Sequence, residues 1–211
     1  FAVSAGNISL SPLSLSAGAS ERLEIAADLS MNPPSGRVSA QWAGVNLSRF
    51  TPWLPPDTTL DGRISGRATG TLRAGKRFEL DGTAVLSGGT LHQAGDDGEL
   101  KFAYSSATGS WGWRGETLTG TLSLAMAEHG QARTSFTLPI PARFPVAVNR
   151  GGPLLATLDG QVQEKGIITA LFPGLVQESS GELGAELEIS GTWEMPHVGG
   201  KLKLSRAGAY L

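Results

Sequence analysis

The residues that come nearest to a chemical motif are Gly70-Thr71-Leu72-Arg73-Ala74-Gly75-Lys76, which follow the first part of a phosphate-binding loop. The next residue is Arg77, so the hydroxyl that would ligate a metal is missing. The run also joins two alternating segments, whereas a phosphate loop leads into a helix whose N–H groups hold the anion. It reads as a β-turn with a cationic tip. His92, His129 and His197 stand far apart, in regions that read as turns, without the paired spacing that zinc needs. Asp96-Asp97, flanked by Gly95 and Gly98, lack the further oxygens of a calcium loop and read as a solvated hairpin tip. No serine sits in a Gly-x-Ser-x-Gly elbow. Glu182, Glu186 and Glu188 share one face of an alternating run, as a wet sheet face requires. Trp111 and Trp113 fall on one face across Gly112. They could stack on a sugar, but burial on an apolar face accounts for them without a ligand. The expectation is a protein that is not an enzyme and holds neither cofactor nor metal.

The elements that carry these residues alternate with a period of two almost throughout. The clearest run is Leu60 to Arg73, with Leu60, Gly62, Ile64, Gly66, Ala68, Gly70 and Leu72 against Asp61, Arg63, Ser65, Arg67, Thr69, Thr71 and Arg73. Gly181 to Trp193 repeats the pattern, and Ile8–Leu15, Leu23–Met31, Phe78–Leu86, Glu99–Ser105, Thr117–Ala127 and Ala132–Ile140 follow it. Turn signals stand between them at Asn32–Gly36, Gly95–Gly98, Glu128–Gly130 and Asn149–Pro153. Leu47–Leu54, with Asn46 as N-cap, and Gly166–Leu175 read as short helical pieces limited by proline. Such pieces must dock on something, and the end of the sheet is the natural place.

About a dozen strands, each with one apolar and one polar face, predict an all-β chain built on a long, mainly antiparallel sheet. Glycines on the apolar face allow bending and leave space, which favours a curved groove over a packed core. Parity places Leu60, Ile64, Ala68 and Leu72 on the groove side of the first clear run. It adds Phe78, Leu80, Ala84 and Leu86 from the next, then Leu100 and Phe102, and then Leu118, Leu122 and Leu124. Phe136 and Leu138 follow, then Leu183, Leu187, Ile189 and Trp193, and finally Leu202 and Leu204.

Composition agrees with this picture. The 211 residues carry a formal net charge of −2, which argues against a nucleic-acid partner. No cysteine is present, so neither disulfides nor thiolate chemistry enter. No apolar stretch approaches the roughly 20 residues of a membrane-spanning helix. The chain starts at Phe1 inside an alternating segment, without initiator Met or leader, which predicts a single groove segment, 1–211, cut from a longer polypeptide.

A cassette of related pieces occurs twice, at 47–91 and 168–211. Each opens on an apolar knot (Phe50, Pro52, Leu54; Phe172, Pro173, Leu175). Each then passes through an alternating run ending in Gly70-Thr71-Leu72 or Gly191-Thr192-Trp193, and turns into a second run. Repeats of this kind imply a surface built from equivalent units. The second cassette, with Leu171-Phe172-Pro173-Gly174-Leu175, Ile189-Ser190-Gly191-Thr192-Trp193-Glu194-Met195-Pro196 and Gly199-Gly200-Lys201-Leu202-Lys203-Leu204, resembles the recurring unit of the TamB family. These are large AsmA-like envelope proteins of bacteria with two membranes. The segments Gly120–Leu124 and Phe136–Pro139 resemble strands that precede such units, and the likeness extends from about Ala40 onward. The first cassette departs from it, with Arg73-Ala74-Gly75-Lys76-Arg77 where the family unit has proline. The resemblance implies a taco-shaped, U-shaped sheet with an apolar interior that shields phospholipid acyl chains across the periplasm. The full-length protein would be anchored in the inner membrane and meet a BamA-like barrel at the outer membrane. Two other roles compete: assembly of outer-membrane β-barrel proteins, and a structural β-sandwich stalk.

Overall fold

A computed structural model describes residues 2–4, 6–18, 20–75, 77–95, 98–126, 130–165 and 178–210. The second predicted helical piece, Gly166–Leu175, and the pairs Asp96-Asp97 and Glu128-His129 lie outside the described residues. Thirteen strands form one sheet: β1 Ala2–Ser4, β2 Asn7–Ala17, β3 Glu21–Met31, β4 Pro34–Asn46, β5 Thr58–Leu60, β6 Arg63–Arg73, β7 Arg77–Gly95, β8 Gly98–Arg114, β9 Thr117–Met126, β10 Gly130–Leu138, β11 Leu155–Lys165, β12 Glu178–Gly191 and β13 Pro196–Tyr210. Twelve of them are neighbours in chain order, every ladder antiparallel; β5 pairs with the far end of β7 instead. The order does not close on itself, so β1 and β13 are its two edges.

The sheet is a single layer. The chain exposes 13657 Å² for a mass of 21.9 kDa. A compact protein of that mass exposes about 9,300 Å². A β-sandwich would need a second sheet to bury the apolar face, and the described residues form only this one. Among the described residues, buried apolar side chains form two small clusters at opposite ends of the strands, with Ala84 buried mid-sheet between them. Leu47, Tyr104, Ala107 and Met126 lie at one end, Ala142 and Leu154 at the other.

At the first end the chain leaves β4 into a 3-10 helix, Leu47–Trp53, with Pro52 inside it. Asn46 caps it, its side chain accepting from Ser48 N at 3.0 Å. The helix is tied back to the sheet by Leu47 N donating to Gly62 O at 2.9 Å. The predicted run Leu60–Arg73 is broken here. Gly62 has φ 128°, a conformation that side-chain-bearing residues avoid, and it separates β5 from β6. At the other end sixteen residues, 139–154, connect the adjacent strands β10 and β11. Hairpin loops usually take two to five. This strap crosses the ends of β9 and β8 and reaches β7. Ala142 N donates to Gly115 O at 2.8 Å and Phe78 N to Ala142 O at 2.9 Å. It then returns to β12, with Leu154 N donating to Gly191 O at 2.9 Å.

Three local expectations are corrected. The turn expected over Asn32–Gly36 is confined to Asn32 and Pro33, and Pro34 onward belongs to β4. His92 and His197 lie in β7 and β13, not in turns. Trp193 follows β12, whose alternation stops at Gly191 with φ 93°; it sits in the turn before β13.

Candidate functional site

Cross-strand partners in an antiparallel ladder project on the same side. Following partners from strand to strand therefore traces a face. One row runs Leu15, Leu23, Trp42, Gly66, Ala84, Gly109, Leu122, Thr134, Leu158, Leu187, Gly200. The row two residues away runs Leu13, Ile25, Ala40, Ala68, Gly82, Trp111, Gly120, Phe136, Ala156, Ile189, Val198. Each row crosses eleven strands, about 48 Å at a strand spacing near 4.8 Å. Thr134 is the one polar residue in either row, and its hydroxyl is occupied by Thr157 O at 2.6 Å.

Further sequence-predicted positions in the same strands have the parity of these rows, and Leu60 pairs with β7 from the separate strand β5. Leu72 pairs with Phe78, Ile64 with Leu86, Gly70 with Leu80 and Leu118 with Leu138. Leu124 pairs with Ala107, Leu183 with Leu204, Leu202 with Ala185 and Leu60 with Leu91. Leu100 and Phe102 are described in backbone only, opposite Gln93 and Leu91.

This face is apolar, and no second layer among the described residues covers it. Ala84 is buried, and Ile64, Leu80, Phe136 and Leu187 are half-buried. Leu122, Leu158, Ile189 and Leu202 remain 40%, 36%, 39% and 62% exposed. The opposite face carries Arg67, Thr83, Ser110, Thr121, Ser135, Asp159, Glu186 and Lys201, all exposed. Ser110 and Thr121 share a hydrogen bond at 2.9 Å there, and Ser135 and Thr157 one at 2.8 Å.

Several glycines of the apolar face are covered by a neighbouring ring, whereas Gly70 and Gly109 are not. A Cβ on Gly66 would stand 2.6 Å from Trp42 Cζ2, and one on Gly120 would stand 2.5 Å from Phe136 Cζ. The indole of Trp111 occupies the same position over Gly82, and the Tyr104 hydroxyl comes within 2.5 Å of a Cβ on Gly89. Aromatic rings thus fill the space over glycines of the neighbouring strand. Trp113 is spent structurally. Its Nε1 donates to Ile140 O of the strap at 2.7 Å, and its ring meets Phe78 edge-on at 4.8 Å.

Two polar devices hold the helix end. Glu21 accepts from Arg49 Nη2 at 2.6 Å and from Asn46 N at 3.1 Å. The Arg49 hydrogen bond, then the Asn46 amide, hold its carboxyl below its ordinary value. The Tyr104 hydroxyl donates to Asp61 O at 2.6 Å. Burial, and next the charge of Asp61, push its phenol upward, so it remains a donor. No cluster of three or more potential metal ligands occurs among the described residues. No described helix is long and apolar enough to cross a membrane.

The aromatic–glycine pairs are the part of this surface that alternation does not reveal. Trp42 and Gly66 are 24 residues apart, and only the register brings them together. The family described as TamB, N-terminal domain, matches residues 25–204. No curated protein and no solved structure matches the chain.

Proposed function

The chain belongs to the TamB family of bacterial cell-envelope proteins, and on that premise we propose that it is a non-enzymatic lipid conduit of the periplasm. The sheet bends into a U about its apolar face, and phospholipid acyl chains lie along that face, shielded from water. The observation that carries this reading is the pair of apolar rows crossing eleven strands with no second layer on them among the described residues. A soluble protein seldom leaves so large a contiguous apolar patch open, and where it does the patch meets a ligand or partner. One acyl chain spans half of a roughly 30 Å hydrocarbon core. A path of about 48 Å thus accommodates about three chains in file. A face whose two rows carry one polar side chain, itself hydrogen-bonded, gives a sliding chain little to hold it in place. The polar face, with Glu186, Glu188 and Lys201, keeps the outside wet.

The test is organic extraction of the purified protein followed by mass spectrometry, on the native chain and two variants. Leu187→Arg puts a charge on the apolar face; Glu186→Arg puts the same charge on the other. The reading expects co-purified phospholipid with the native chain and Glu186→Arg, and its loss from a folded Leu187→Arg protein. Lipid retained equally by all three would remove the face as the lipid path.

A second reading uses the edge of the sheet. β13 pairs on one side only among the described strands, and its Val198 and Leu202 are 71% and 62% exposed. An open edge accepts a further strand. This is the geometry an assembly module for outer-membrane strands, working beside a BamA-like barrel, would use. Capture of a strand peptide along β13, with no lipid extracted, favours this role over the conduit.

A further inference from the structure

The hairpin that resembles a phosphate loop by sequence acquires a partner in three dimensions. The β6–β7 ladder sets Arg73 directly opposite Arg77. An isolated antiparallel bridge sets Arg77 opposite Arg143 of the strap. Residues opposed in this way stand about 4.5–5.5 Å apart at Cα and project together, so three cations share one row on the polar face. Like charges so placed repel. Glu79 answers one of them, accepting from Arg73 Nε at 3.0 Å. Arg77 and Arg143 make no ion pair among the described residues, and both are exposed. Asp81 is taken by Arg114. Glu116, on the β8–β9 turn, is the remaining carboxylate on this stretch of the edge.

The strap beside this row has no acidic residue and adds a second cation, Arg150. It also exposes Phe144, Val146 and Val148 at 55%, 47% and 47%. Phe144 is rooted on Phe78, with ring centroids 4.9 Å apart. Unpaired cations beside a short exposed apolar segment complement one kind of surface, in which phosphates overlie a hydrocarbon layer.

We propose that this edge docks on an anionic phospholipid bilayer. Arg77 and Arg143 take headgroup phosphate, and Phe144, Val146 and Val148 enter the interface. The guanidinium fork matches phosphate oxygens two at a time and sheds water more readily than an ammonium. An anion between the two arginines turns their repulsion into shared attraction. Each cation near such a surface contributes about a fivefold gain in binding, so the pair is responsible for roughly 30-fold. The inference does not depend on acyl chains lying along the apolar face.

Flotation with vesicles tests it. The native chain binds vesicles of phosphatidylglycerol mixed with phosphatidylcholine, and not phosphatidylcholine alone. Arg77→Gln/Arg143→Gln weakens that binding roughly 30-fold. Arg67→Gln/Arg133→Gln removes the same charge from elsewhere on the polar face and leaves binding nearly unchanged. Val146→Ser/Val148→Ser weakens it without altering its salt dependence. Circular dichroism confirms that each variant folds. Equal loss in the two arginine pairs, or no vesicle binding by the native chain, overturns the proposal. So does inorganic phosphate that binds the row and displaces it from vesicles, which would mark a site for free anions. Leu187→Arg separates the two readings, because it strips lipid from the apolar face and leaves vesicle docking intact.

Discussion

At the scale of single residues, the apolar face is organised by what stands opposite each glycine. Gly66 and Gly109 lie in the same row, one strand apart from Ala84 on either side. Only Gly66 is covered by a ring; a Cβ on Gly109 meets nothing nearer than 3.7 Å. Gly66→Ala is therefore expected to cost about 1–3 kcal/mol, because Trp42 and the Thr83 carbonyl must both give way. Gly109→Ala is expected to be neutral or to stabilise by about 0.4–1 kcal/mol through the unfolded chain. Thermal melts of the two variants check this, and similar losses in both would refute the covered-glycine account. Tyr104→Phe tests the second device. It leaves the Asp61 carbonyl without its donor and is expected to cost about 1–3 kcal/mol in denaturant titrations.

At the scale of elements, the two irregular segments are held by few contacts, and each can be loosened separately. The 3-10 helix depends on Glu21. Its carboxyl is held below the ordinary 4.5, so it binds a proton less readily when folded than when unfolded. The stabilisation is complete above about pH 4.5 and is lost as the pH falls through the depressed value. Protection of the Asn46 and Leu47 amides, taken relative to their intrinsic exchange rates, should fall over that acidic window in the native chain. In Glu21→Gln that protection should be low at all pH, and an unchanged pH profile in that variant would remove Glu21 as the tether. The strap depends on Trp113. Trp113→Phe removes the donor to Ile140 and is expected to cost about 1 kcal/mol. Proteolytic cleavage should then begin within 139–154, and cleavage elsewhere first would contradict this placement.

The same elements show what the sequence discloses. Alternation identifies β3, β6, β7, β9, β10 and β12, because one-face burial imposes a period of two on each. It misses β4, where Pro33, Pro34 and Gly36 imitate a turn although only Pro33 stands outside the strand. β11 also escapes, since Ala156 and Gly160 dilute an apolar face that carries only Leu158 and Val162 as larger side chains. The break at Gly62 and the path of the strap are tertiary facts, set by Tyr104 and Trp113 from strands distant in sequence.

At the scale of the whole molecule, an all-β chain of this mass ordinarily folds its apolar faces against each other. This one leaves a single layer, and about 4,400 Å² more surface than a compact protein of equal mass. The shared parity of Ile64, Ala84, Leu122, Phe136 and Leu187 follows from hairpin succession, because each added hairpin extends the same rows. What no single hairpin encodes is the identity of whatever lies on the finished surface. The most direct measurement is site-specific photocrosslinking at two consecutive residues of β11. Leu158 projects on the apolar face beside Leu187, and Asp159 on the polar face beside Glu186. With a photoreactive amino acid at each position in turn, the account predicts a phospholipid adduct at 158 and none at 159. Adducts of equal yield at both positions, or none at 158 in a folded protein, would contradict it.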